Sequence, residues 1–312
     1  MQGALLIDKP SGPTSHDVVA FVRRTLKTPR AGHTGTLDPL ATGLLVLLVG
    51  QATRLAQFLS GNDKEYVADV RLGLSTPTYD AASLEAGGAG PRGRGAEREA
   101  RDVRREEIAE VLTRFRGTFL QTPPPFSAKK IASVPAYEKA RKNQAVELTP
   151  VEVTVRDLEL LEPRTSHLAP RDADAPLIRL RVTASAGFYV RSLAHDLGQA
   201  LGCGAHLEAL RRIRAGRFRV DDALTLDRVE AEGANSLISM NTLLADMPPV
   251  RLTGEGLRRA AHGNDLGPMH VARPDASGSD PARVRLLDEA GEVVAVAERR
   301  AGGLLHPLVV LR

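Results

Sequence analysis

One cysteine, Cys203, is all that 312 residues offer, so no internal disulfide can form and cysteine-rich zinc modules are excluded. A reducing compartment fits. No apolar run outlasts Leu44 to Val49, far short of the ~20 residues that a membrane helix needs. The opening MQGALLIDKPSG has no basic start and only a brief apolar stretch before Asp8 and Pro10, which does not describe a signal peptide. A soluble, cytoplasmic protein is the expectation. No Gly-Lys-Ser/Thr follows the glycines near residue 35, which argues against a phosphate-loop nucleotide hydrolase. No second His or Cys stands at helical spacing beside His33, so no metal is expected there. No internal repeat is visible.

Hydrophobic residues make up 42% of the chain, and 42 Lys and Arg stand against 38 Asp and Glu, a formal charge of +4. That balance permits nucleic-acid binding without requiring it. The length suggests two domains, and the texture changes near Pro248. Leu5 to Ile7 reads as a buried strand, followed by a helix capped by Thr14 or Ser15 with Val18, Val22 and Leu26 on one face. Tyr66, Ala68, Val70 and Leu72 fall on one side of a strand with Asp69 and Arg71 among those on the other, and Val151, Val153 and Val155, like Ile178, Leu180 and Val182, alternate with polar neighbours. Ile108, Val111, Leu112 and Phe115 keep helical spacing, the three prolines 123 to 125 demand a loop, and residues 87–105 read as an exposed Gly/Arg-rich insertion. Glu289-Ala290-Gly291 divides two apolar runs as a hairpin turn would. A mixed α and β architecture follows.

The chemistry concentrates in GHTGTLDPLATG, residues 32–43, where glycines, a proline and polar side chains lead directly into the apolar run 44–49. A rigid scaffold presents a reactive loop in this way. Alone, Asp38 before Pro39 would be a plain turn residue. Five further stretches stand with it: LLIDKPSGPTSHDVV, KEYVADVRLG, PPPFSAKK with a later YEKAR, GFYVRSLAHDLG and GAHLEALRR. Together and in this order they resemble the TruB-type tRNA pseudouridine-55 synthases over nearly the whole chain. The closing region resembles the small RNA-binding PUA domain of that family.

The resemblance implies an α+β fold, a mixed and largely antiparallel sheet flanked by helices. Residues 1–248 would be the catalytic domain and 249–312 a β-rich PUA-like domain that adds affinity for RNA. The activity implied is conversion of uridine 55 in the tRNA T arm to pseudouridine after base flipping, with no cofactor, no metal, no membrane and no obligatory protein partner, the chain acting as a monomer. Asp38 corresponds to the carboxylate that attacks the nucleoside, Arg191 to its ion-pair partner, and Tyr66 to the tyrosine that stacks on the extruded uracil. His33 would fill the space that the flipped nucleotide leaves, Leu207 would be an apolar pocket residue, and Lys9 and Pro10 would support the site from below. Lys129 and Lys130 fall in a loop that the family uses to grip the tRNA arm.

The residue types suit these roles. Exchanging an N-glycosidic for a C-glycosidic bond needs a nucleophile or base at the sugar and neither redox chemistry nor net water. Arg191 follows Tyr189 by two residues, so an extended backbone would point both to one face. Arg211, Arg212, Arg214, Arg217 and Arg219 form a basic run that reads either as a solvated face or as a phosphate track. The sequence departs from the family at Ile131 to Val134, where a glycine is usual, and in the length of the insertion. Two other readings stay open: an RNA-binding protein without catalysis, and a synthase guided by an RNA within a ribonucleoprotein. All the residues assigned to chemistry precede Pro248, so a chain ending there is expected to keep its turnover unless the last segment packs tightly on the rest.

Overall fold

The computed structural model describes residues 1–85, 100–126, 130–131, 134–135, 148–161, 176–272 and 282–311. Lys129 and most of the 87–105 insertion lie outside them, and of Lys130 only the backbone is described, in the short strand β6 (Lys130–Ile131), which pairs with β7 (Val134–Pro135).

One sheet organises the larger part of the chain. Its order is β1 (Gly3–Lys9), β3 (Thr42–Val49), β10 (Ala205–Ala215), β4 (Lys64–Leu72), β9 (Leu177–Ala184), β8 (Val151–Leu161) and β5 (Gly117–Gln121). The short β2 (Ala31–His33) adds to β3, and β11 (Phe218–Arg219) to β10. Every pairing in it is antiparallel except β3 with β10, where Thr42 faces Arg211 and Gly43 faces Arg212. Helix Ser15–Thr25 is fixed at its start by a capping box, Thr14 Oγ1 accepting from Asp17 N and Asp17 Oδ2 accepting from Thr14 N.

The unbroken apolar run of β3 is explained by two cores. Leu45, Leu47 and Val49 pack with Leu5, Ile7, Val18 and Val22 on one side. Leu44, Val46 and Leu48 pack with Ala4, Leu6, Leu243 and Leu244 on the other. A strand covered on both faces has no need of alternation. On β4 the expected inward residues Tyr66, Ala68, Val70 and Leu72 are buried, yet Asp69 and Arg71 on the opposite face are buried too. Cross-strand ion pairs make this tolerable: Arg179 holds both oxygens of Asp69 at 2.6 and 2.8 Å, and Arg71 reaches Glu208 at 3.1 Å.

After Pro248 a second sheet runs in the order β12 (Pro249–Arg251), β13 (Arg283–Leu287), β14 (Val293–Arg299) and β15 (Leu305–Val310), with helix Gly254–Ala261 against it. Asp288 to Glu292 turn the hairpin between β13 and β14, Gly291 taking φ 84°. This sheet has a core of its own around Val250, Leu266, Val284 and Ala295. Its other apolar residues, Leu287, Val293, Val296, Val309 and Leu311, join Leu44, Val46 and Leu48 in the second core of the main sheet. Asn241 Nδ2 donates to Gly291 O and Arg285 Nη1 to Asn241 O across the same seam.

Candidate active site

Asp38 opens a turn closed by Ala41 N on its own carbonyl at 3.1 Å, and the turn is tied down from several directions. Ser15, at the start of the first helix, donates through Oγ to Leu37 O at 3.0 Å and accepts from Leu37 N at 2.8 Å. Gly12 N donates to Pro39 O at 2.9 Å. Lys9 is fully buried at the end of β1, and its ammonium donates to Pro10 O, Pro13 O and Pro39 O at 2.8, 2.8 and 3.3 Å. Burial pushes this lysine down to about 8, with Asp38 pulling the other way. Lys9 and Pro10 thus lie under the Asp38 turn, Lys9 through its side chain and Pro10 through its carbonyl.

Arg191 reaches the turn from the far side of the sequence. Its Nη2 donates to Asp38 Oδ1 at 3.1 Å, and its Nε stands 3.0 Å from Oδ2 as an ion pair without hydrogen-bond alignment. The same guanidinium donates to Thr78 O at 3.2 Å and Phe126 O at 3.0 Å, and its Nη1 lies 3.6 Å from Asp80 Oδ2. The arginine side chain is 7% exposed and that of Asp38 33%, so the pair is closed behind and open in front. The extended reading of GFYVRS does not hold. Val190–Ala200 is a helix and Tyr189 its N-cap, so the two residues do not share a strand face. Tyr189 has no capping side chain; instead Gln121 accepts from its N at 2.8 Å and donates to its O at 3.0 Å.

Asp80 is a site residue that the sequence reading missed. It is buried, accepts from Thr78 Oγ1 at 2.6 Å and Ala82 N at 3.2 Å, and shares Arg191 with Asp38. Burial raises its pKa and nearby Asp38 adds to the rise, against the pull of Thr78 and Arg191. Its stretch, STPTYDAAS, looks like an ordinary polar turn. Tyr79 beside it adopts φ 63° and stacks on His195, centroids 3.8 Å apart and planes 8° from parallel.

Tyr66 is 8% exposed, on the β4 face that packs into the first core, with Arg212 of β10 and Val182 of β9 as its cross-strand partners. His33 ends β2 opposite Leu47 of β3, edge-on to His16 at 5.9 Å. Burial lowers its pKa, with His16 and Arg212 adding to the fall. Leu207 is fully buried, and its main chain brackets the Asp80 turn by donating to Tyr79 O at 3.0 Å and accepting from Ala81 N at 2.9 Å. Leu210, opposite Ala68, stands nearer to Tyr66 along the β4–β10 ladder than Leu207, opposite Val70.

The basic run is largely not a phosphate track. Arg211 pairs with Asp8 through two hydrogen bonds at 2.9 and 2.8 Å, Arg214 with Glu65 at 2.8 Å, and Arg212 is buried. Phosphates need exposed, uncommitted cations. Among the described residues, no cluster of His, Cys, Asp or Glu is arranged to hold a metal ion, and no helix is long and apolar enough to cross a membrane.

Residues 23–190 match the family model described as TruB family pseudouridylate synthase (N terminal domain), and residues 191–246 match the tRNA pseudouridylate synthase B C-terminal domain. The chain is similar to the tRNA pseudouridine synthase B of Solibacter usitatus (strain Ellin6076), 42% identical over 316 residues that cover 100% of both chains. It is 44% identical over 254 residues to that of Aquifex aeolicus (strain VF5), covering 81% of this chain and 82% of the relative. Among solved structures, one of a Cbf5-Nop10-Gar1 complex matches 99% of this chain and 85% of the matched chain with a TM-score of 0.69 and 26% identity. With the first model spanning more than half of its length and a relative this similar from end to end, the chain belongs to the TruB family of pseudouridylate synthases.

Proposed function

We propose that the protein converts uridine 55 in the T loop of tRNA to pseudouridine, with Asp38 as the catalytic carboxylate. The observation that carries this reading is the pairing of an open-faced Asp38 with a buried Arg191 that reaches both of its oxygens. The arginine aims the carboxylate while leaving its front to the nucleoside. The reaction breaks the bond between uracil N1 and C1′ of the ribose and forms one between C5 and C1′. The proton lost from C5 is balanced by one gained at N1, so no oxidant, reductant or net water is needed. The target uridine is flipped out of the loop to reach the carboxylate, and the ring of Tyr66 offers the extruded base a stacking face. His33, at the end of β2, takes up space that the nucleotide vacates.

The bacterial relatives named above are tRNA pseudouridine synthases, and the same substrate suits this chain, with the T arm as the RNA element gripped. Tyr189, Leu207, Lys129 and Lys130 belong to the substrate side, Lys9 and Pro10 to the support. The protein works as a monomer in the cytoplasm, without an obligatory protein partner. The sheet after Pro248 serves as a second RNA contact. The test is incubation with an unmodified tRNA transcript followed by chemical mapping of pseudouridine. Wild type is expected to modify one T-loop uridine. Asp38→Asn, which keeps shape and loses charge, should bind tRNA and give no product. A wild type that leaves the T loop unmodified overturns the reading.

A further inference from the structure

The loop that carries Asp38 ends on a buried cation that none of the proposed chemistry uses. Arg212 is 2% exposed. Its Nη2 donates to Gly35 O at 3.1 Å and its Nη1 to Thr36 O at 3.4 Å, both on the leg of the loop that precedes Asp38. Its Nε donates to Leu44 O at 2.6 Å, on the leg that follows. One rigid planar group therefore ties the two legs together. The backbone of the same residue pairs with Gly43, whose φ of 94° and close approach to Arg212 O leave no room for a side chain.

The contrast with its neighbours is informative. Arg211 and Arg214 are partly exposed and each holds a carboxylate. Among the described residues Arg212 makes no ion pair, so its buried charge is compensated by main-chain carbonyls alone. Burying a cation in this way costs free energy that an apolar residue on the same strand would avoid. Its charge also contributes to the lowered pKa values of Lys9, Lys64 and His33.

We propose that Arg212 is a positioning residue for the isomerisation, setting the place of Asp38 by tying both legs of its loop while touching no RNA itself. The inference rests on Asp38 being the carboxylate of a pseudouridine synthase. Lysine in its place keeps the charge but is a point donor, unable to serve both legs in the fixed fork geometry. Arg212→Lys should fold and bind tRNA with a Kd within about threefold of wild type. Its single-turnover rate at saturating tRNA should fall on the order of 100-fold, the scale of a displacement near 1 Å at a reacting group.

Arg214→Lys, on the same strand, is the control and should keep its rate within about threefold. Hydrogen exchange should quicken at the amides of 34 to 44 in Arg212→Lys and not in Arg214→Lys. Three results overturn the proposal. The first is an Arg212→Lys rate within about threefold of wild type, and the second is equal losses in Kd and rate, the mark of an RNA contact. The third is failure of both Arg212→Lys and Arg212→Met to fold while Arg214→Lys folds, which makes the residue structural only. A wild type that makes no pseudouridine sinks the underlying reading instead, and is told apart by that arm.

Discussion

Cutting the chain after Pro248 removes a sheet that is also part of the cover of the catalytic one. Leu287, Val293, Val296, Val309 and Leu311 are lost, and Leu44, Val46, Leu48 and Leu55 lose apolar neighbours. Fully burying a Val or Leu is worth roughly 1.5–3 kcal/mol, and assigning about half of that burial to the seam gives a loss of about 5 kcal/mol. A domain has only ~5–15 kcal/mol in total. At the usual ~2–4 °C per kcal/mol for a chain of this size, the truncated protein should melt about 10–20 °C below the full chain. Because Leu44, Val46 and Leu48 belong to the strand that receives the Asp38 loop, the single-turnover rate should fall as well. Circular-dichroism melts and binding of a hydrophobic dye measure the first effect, and rapid-quench assays at saturating tRNA the second. A truncated protein that melts within about 3 °C of the full chain and binds no extra dye would refute the reasoning. This expectation differs from the one that the sequence alone suggests, since every residue assigned to chemistry precedes the cut.

Arg191→Met should reduce turnover on the order of 100-fold, equivalent to roughly 2.7 kcal/mol of barrier, while tRNA affinity changes little; equal losses in both would mean that Arg191 binds phosphate instead. Asp80→Asn keeps the contacts from Thr78 and removes one of the two carboxylates around Arg191. It should slow turnover about tenfold, less than Arg191→Met, and an unchanged single-turnover rate would show that Asp80 is only a turn residue. Lys64, like Lys9, is held down to about 8 by burial. Between about 8 and 10.5 the folded state then binds fewer protons than the unfolded one, so this group makes stability rise with pH across that window, its burial cost being present below 8. The melting temperature of wild type relative to Lys64→Met should climb from pH 8 to pH 10, and a pH-independent difference would contradict the assignment.

How much of this was legible in the sequence depended on distance along the chain. The Asp38 loop was legible because its glycines and its one proline run straight into β3, a local pattern. Arg191 lies against Asp38, but it arrives from a helix start and not from the strand that the sequence suggests. Phe188, Tyr189 and Val190 favour a strand, whereas Val190, Leu193, Ala194 and Leu197 already carried helical spacing. What tipped the balance was Gln121, remote in sequence, which satisfies the backbone of Tyr189 at the helix start. Asp80 and Arg212 were illegible for the same reason. A buried carboxylate in a polar turn and a buried guanidinium in a basic run look like solvated residues until the partners 100 or more positions away are placed.

The cations packed against Asp38 or along its loop have a consequence for work in salt. Lys9, Lys64, Arg191 and Arg212 are all buried, and mobile ions screen exposed charges over about 8 Å at physiological ionic strength but reach buried ones poorly. Raising potassium chloride should therefore weaken capture of the polyanion, yet leave the rate from the saturated complex almost flat. Ionic strength becomes a handle that separates encounter from isomerisation in the unmutated enzyme.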